Sequence, residues 1–144
     1  MSPSQNCFNL IETFEGCVLT AYQDANGVWT IGYGHTQGVS AGITITQKQA
    51  QAFLESDVQM AAQCVDGKVG PRVTQNQFDA LCSFVFNVGC SLFSTSTMLR
   101  EINTGSIMNA ADEFDRWVYA GSQVLPGLIK RRATEKALFL RASA

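Results

Sequence analysis

Histidine occurs once and proline three times in 144 residues, and charged side chains make up only 15% of the chain. The single histidine, His35, has no cysteine or second histidine near it in sequence, which speaks against a zinc site; no metal and no cofactor is expected. No run approaches the roughly 18 uninterrupted apolar residues of a membrane span. Met1 to Leu10 lacks the basic start and apolar centre of a signal peptide, so a soluble chain without stable membrane association is expected. Neither sign of charge dominates: ten basic and twelve acidic side chains give a net charge of -2, and the overall balance suggests neither nucleic acid nor an anionic membrane as partner. The cysteines, Cys7, Cys17, Cys64, Cys82 and Cys90, form no CxxC spacing, and their odd number leaves at least one unpaired within the chain. What is abundant is apolar: 46% hydrophobic residues with nine Phe and two Trp exclude a disordered tail. At this length one domain with its own core is expected, burying roughly 68 to 70% of its unfolded surface.

Cys7, Leu10, Ile11 and Phe14 recur at helical spacing, and Gly16 is placed to end that helix at Glu15. CVLTAY and VWTIGYG are β-rich runs on either side of Asp24-Ala25-Asn26-Gly27, a hairpin signal, and Ile43 to Thr46 offers a third strand. Thr46 with Gln49 reads as a capping box opening a helix to about Cys64. A loop with Gly67, Gly70 and Pro71 precedes a second box, Thr74 with Gln77. The helix after it is apolar nearly all round and marks the centre of the larger core. Gly89 ends it. A short helix near Met98 to Asn103, one from Ser106 through Trp117 and a last one from Pro126 to about Arg141 complete an α+β chain. Cys64 and Cys90, flanking the central helix region, are the preferred disulfide.

Three residues between the first helix and the hairpin carry chemistry: Glu15, Asp24 and Thr30. Glu15 is at the edge of the apolar face and at the negative end of the helix dipole, both of which disfavour its anion and suit a general acid. Asp24 is in a polar turn, where water and backbone N–H groups keep it ionised. Two carboxyls in contrasting environments are the pairing that glycoside hydrolysis needs. Thr30, six residues past Asp24 on the returning strand, is placed to hold a water beside that carboxylate.

FEGCVLTAYQDANGVWTIGYGHT resembles the catalytic segment of the phage lysozymes, or endolysins, of glycoside hydrolase family twenty-four. Their pattern of Glu, eight residues, Asp or Cys, five residues, Thr fits Glu15, Asp24 and Thr30. TQNQFDALCSFVFNVG and STMLREIN resemble the family's central helices, and PGLIKRRATEKALF its closing helix. The resemblance implies a two-lobed lysozyme fold: a β-lobe over about 15–46, a connecting helix over 47–64, and a helical lobe from 1–14 with 65–144. It implies a monomer that cleaves peptidoglycan at the β-1,4 bond between N-acetylmuramic acid and N-acetylglucosamine. In that reading Glu15 is the acid, Asp24 supports the attacking water or the developing positive charge, and Thr30 positions the water. The family is generally described as inverting, in which case Asp24 is not a covalent nucleophile. The enzyme would be made in the host cytoplasm and reach the wall through a holin pore. A membrane-tethered form whose N-terminal anchor has been lost or trimmed would also fit the start Met-Ser-Pro-Ser.

The sequence departs from the family at Leu128, where the best-known phage enzymes have an arginine near the catalytic Glu; Arg131 or Arg132, one turn later, can substitute. Plainer readings stand beside these assignments. Asp24 before Asn-Gly is good turn chemistry, and Thr30 is a β-branched strand residue. Glu12 reads as an exposed companion, His35 as a packed structural residue, and Cys17 as a buried small hydrophobe. The Lys130 to Lys136 cluster reads as a solvated helix face. Tyr33 and Asn87 to Ser96 are candidates for lining the cleft. A lytic transglycosylase needs only the Glu, and a non-catalytic wall-binding module needs neither carboxyl; the intact triad argues against both.

Overall fold

The computed structural model describes residues 1–70 and 73–142, so Pro71 of the Gly70-Pro71 loop is outside the described residues. The first helix, α1, spans Gln5–Glu15 and buries Cys7, Leu10 and Ile11. It stops where expected, because Gly16 takes φ 64, a conformation that L side chains disfavour. Ser4, at its N-cap position, makes no side-chain cap; its backbone N–H donates instead to Asp79 Oδ1 at 2.8 Å, fastening the start of α1 to a buried residue.

Strands β1 (Val18–Gln23) and β2 (Trp29–Gly32) pair antiparallel with an irregularity between Val18 and Tyr22. β1 lies between β2 and the segment 43–45 and is mostly exposed, while Thr30, Ile31 and Gly32 of β2 are buried. The expected third strand shrinks to one bridge, Thr20 with Thr44, flanked by Ala21 N–H to Ile43 O and Ile45 N–H to Leu19 O, both at 2.9 Å. Thr46 then starts a helix, which leaves no length for further pairing.

That helix, α2 (Gln47–Lys68), opens with the expected capping box and runs one turn past Cys64. Val65 is buried and holds this extra turn on the core, so Gly67 lies inside the helix rather than in a loop. The central helix, α3 (Gln75–Val88), also has its capping box and is buried continuously from Phe78 to Val85. It packs against α1, α2 and the last helix, α7 (Pro126–Leu140). Between them come α4 (Cys90–Ser94), α5 (Thr97–Asn103) and α6 (Ile107–Glu113). The helix expected to reach Trp117 ends at Glu113 and tightens into a 3-10 turn, Phe114–Arg116. This turn sinks Phe114 edge-on against Phe84 and releases the chain into a hairpin of β3 (Tyr119–Ala120) and β4 (Gln123–Val124).

Cys64 of α2 and Cys90 of α4 form the expected disulfide, with Cα atoms 6.0 Å apart and a separation of 26 positions in sequence. Cys7 and Cys82 are buried free thiols; the hydrogen bond to Cys7, then burial, hold the Cys82 thiol well above its ordinary range. Loop closure over this distance restricts the unfolded chain. Replacing Cys64 and Cys90 together by serine is therefore expected to lower unfolding free energy by about 3 to 4 kcal/mol. Denaturant melts of the double variant, compared with wild type, measure this; unchanged stability would contradict it.

Candidate active site

Gly16 ends α1 so that Glu15 is its last residue, and the side chain is only 21% exposed. Its Oε2 accepts from Arg131 Nη1 at 2.7 Å, so the cation expected from Arg131 or Arg132 in place of Leu128 is Arg131. Beside the apolar neighbours and the helix end expected around Glu15, the structure places this guanidinium. On the other side Gly34 takes φ +73 and lies so close that a Cβ there would be 2.6 Å from Glu15 Oε1.

Asp24 is in the turn between β1 and β2. Its Oδ1 accepts the backbone N–H of Asn26 at 2.8 Å and of Val28 at 2.9 Å, so its turn-forming role is real, and Oδ2 has no hydrogen bond to this turn. Thr30, buried on β2, donates its hydroxyl to Val28 O at 2.9 Å. The turn thus ties Asp24 and Thr30 to the same residue, Val28. Glu15, Tyr22, Asp24, Thr30, Gly34, Thr36, Phe86 and Asn87 line one mostly polar cavity of about 280 Å³. Burial, then the charges of Glu15 and Asp24, push the Tyr22 phenol above its ordinary value, consistent with both carboxyls facing it.

This cavity is the middle of a longer trough. It shares Gly34, Thr36 and Phe86 with a neighbouring cavity of about 300 Å³ beside α2. It shares Asn87 with another of about 550 Å³ toward Trp117 and Tyr119. A trough of joined cavities suits a polymer better than a compact ligand.

Other assignments shift. Asn87 to Ser96 supplies Asn87, Val88, Gly89, Cys90 and Leu92 to the trough walls. Tyr33 lines none of these three cavities; its hydroxyl accepts from Gln47 Nε2 at 2.8 Å. His35 is structural, stacked on Phe53 with centroids 4.2 Å apart and with Nδ1 2.7 Å from Asp57 Oδ2. Cys17 is exposed rather than buried, because Gly16 turns the chain outward into the exposed strand β1. Glu12 is partly buried rather than fully exposed. The basic cluster is not one solvated face: Lys130 is exposed and Lys136 bonds Asp115 at 2.7 Å, but Arg131 and Arg132 are buried.

The reason for that burial is a set of residues the sequence reading missed. Glu135, fully buried, accepts from Arg132 Nη1 and from Ser83 Oγ, and its Oε2 is 3.4 Å from Arg131 Nε. Arg132 also donates to Trp117 O and Asn87 Oδ1 and covers the Phe84 ring. Burial pulls Arg132 below its ordinary value, and the Glu135 charge opposes that. The legible signal was the spacing: Glu135 is four residues after Arg131 and three after Arg132, on one helix face.

An α+β body whose central cleft holds a helix-end glutamate across from a hairpin aspartate defines a protein of the lysozyme-like class. A model of the phage lysozyme family matches residues 12–135, and the chain belongs to that family. An endolysin of Acyrthosiphon pisum secondary endosymbiont phage 1 is 46% identical over 96% of this chain and 98% of its own length. An endolysin of Bacillus phage PZA is also 46% identical over 96% of this chain, but the match spans only 55% of that protein. Among solved structures, the muramidase domain of SpmX from Asticaccaulis excentricus superposes with a TM-score of 0.88 at 42% identity, covering 96% of this chain and 97% of that domain. The lysozyme-like fold is therefore shown. Among the described residues no helix is long and apolar enough to cross a membrane.

Proposed function

We propose that this chain is an endolysin that hydrolyses the β-1,4 bond between N-acetylmuramic acid and N-acetylglucosamine in bacterial peptidoglycan, lysing the host at the wall. The observation that carries this reading is the single cavity lined by Glu15, Asp24 and Thr30 together. Glu15 gives its proton to the leaving oxygen of the sugar linkage. Its Oε2 accepts from Arg131, which leaves Oε1 to carry that proton without losing this hydrogen bond. Water attacks from the Asp24 side. The only proton of the Thr30 hydroxyl is committed to Val28 O, so this oxygen can only accept. A water donating to both Thr30 Oγ1 and the Asp24 carboxylate has its lone pair left for the anomeric carbon, and its proton passes to Asp24.

We further read residues 15–46 as the wall bearing Asp24 and Thr30, with 1–14, 69–70 and 73–142 forming the opposite lobe and α2, Gln47–Lys68, joining them. The product is made in the host cytoplasm, acts as a monomer and meets its substrate after holin-mediated release. An anchored precursor is the alternative route to the same wall.

Asp24→Asn keeps the turn's acceptor but removes the base, and is expected to slow clearing of outer-membrane-permeabilised cells by about 10²-fold or more. Thr30→Ala leaves the carboxylate and loses one water contact; a smaller loss of about ten-fold or more is expected. Clearing rates at matched folded protein measure both, and wild-type rates in Asp24→Asn would remove Asp24 from the mechanism.

A further inference from the structure

We propose that Glu135 is a positioning residue for this cleft: by holding Arg131 it aims a guanidinium at Glu15 and limits how strongly that cation favours the Glu15 anion. This rests on reading Glu15 as the proton donor. Glu135 lines none of the three cavities of the trough and is fully buried, so it cannot touch substrate. It nevertheless sits behind the acid. Glu15, Arg131, Glu135 and Arg132 form an alternating row of charges with no net charge.

The aim is geometric. A guanidinium is a rigid planar fork, so fixing two of its nitrogens fixes the third. Arg131 Nε faces Glu135 Oε2 at 3.4 Å, and Nη2 donates to Ser83 O at 3.2 Å. The remaining nitrogen, Nη1, then reaches Glu15 Oε2 at 2.7 Å. Ser83 Oγ, donating to the same Glu135 oxygen at 2.6 Å, fixes that carboxylate from α3.

The second effect is electrostatic. From α7, Glu15 faces Arg131; from β1, Tyr22 is within reach of its charge; from the β1–β2 turn, Asp24 lines the same cavity; on its own helix Glu12 is one turn earlier. His35, next to Gly34, is turned to Asp57. Of the charges behind this first ring, Glu135 is the one bonded to Arg131, and its negative charge offsets part of the cation's pull on Glu15. Glu135 itself faces Arg131 and Arg132 on its own helix and Ser83 from α3. With Glu135 neutral, Arg131 acts on Glu15 uncancelled and the acid loses its proton at lower pH.

The test is the pH–rate profile of peptidoglycan hydrolysis by Glu135→Gln, whose amide has nearly the shape of the carboxyl. The alkaline limb, which reports loss of the acid's proton, is expected to move down by about one pH unit. Above the limb this is about a ten-fold loss, with the plateau rate little changed. Glu135→Asp keeps the charge and should leave the limb near its wild-type position. A role in folding alone would lower the melting temperature and scale the rate equally at every pH. A folded Glu135→Gln with an unmoved limb overturns the proposal. If Glu135→Gln does not fold, the double variant E135Q/R132M removes the buried ion pair as a whole and is expected to shift the limb in the same direction; an unmoved limb there overturns it equally. Glu15→Gln assayed alongside separates the two readings. Wild-type hydrolysis by it would sink the acid assignment, whereas an inactive Glu15→Gln with an unmoved limb in Glu135→Gln would sink only the role of Glu135.

Discussion

Glu15→Gln is expected to hydrolyse purified peptidoglycan about 10³-fold more slowly than wild type while binding it normally, a loss within the range for removing a general acid. The substitution keeps the length and shape of the side chain, and the amide oxygen can still accept from Arg131 Nη1, now 2.7 Å from Oε2. What disappears is a dissociable proton at Glu15, the one glutamate that lines the central cavity among the described residues. Folding should be little affected, because no cavity is made and the arginine keeps Glu135 and Ser83 as partners. Release of soluble muropeptides and co-sedimentation with insoluble wall separate the two effects. Equal losses of binding and turnover would instead make Glu15 a contact residue.

Gly34→Ala should show the largest effect of any substitution outside the triad. Two costs coincide there. At φ +73 an alanine is strained by about 1 to 2 kcal/mol. Its Cβ would also be 2.6 Å from Glu15 Oε1 and 2.9 Å from Cδ, far inside van der Waals contact. The atoms it strikes are the end of a flexible side chain, so the carboxyl can swing away and the fold survives. Swinging away takes Glu15 off Arg131 and out of line with the sugar oxygen. Displacement of about 1 Å at a reacting group costs about 10² in rate. A loss of about 10²-fold in activity with only about 1 to 2 kcal/mol lost in stability is therefore expected from paired rate and thermal-melt measurements. A stability loss with normal activity would mean that Glu15 has room to spare.

The first half of the chain was the more legible because its signals are local. Thr46 with Gln49 and Thr74 with Gln77 form both capping boxes, and Gly16 stops α1 at Glu15. Each depends on residues within one helical turn of one another. The strand expected at Ile43 to Thr46 failed because strand length is set by its neighbours: the cap at Thr46 ends it. The hairpin β3–β4 was invisible, since two-residue strands carry no alternation to read. Glu15, Asp24 and Thr30 line one cavity, a grouping that the resemblance to the phage lysozymes suggested and that spacing alone carried only weakly. The solvated face expected over Lys130 to Lys136 was wrong because Glu135, Ser83, Asn87 and the Trp117 carbonyl, from separate parts of the chain, satisfy Arg131 and Arg132 in the interior. Sequence shows where a charge is, and only packing shows that its partners are buried with it.

Hydrolysis with a positioned water is tested most directly by digesting peptidoglycan in ¹⁸O-labelled water and identifying the new chain ends by mass spectrometry. If Glu15 protonates the linkage and Asp24 with Thr30 delivers water, each new end is a reducing N-acetylmuramic acid carrying one ¹⁸O. Unlabelled 1,6-anhydromuramic ends, or label on N-acetylglucosamine, would contradict the account.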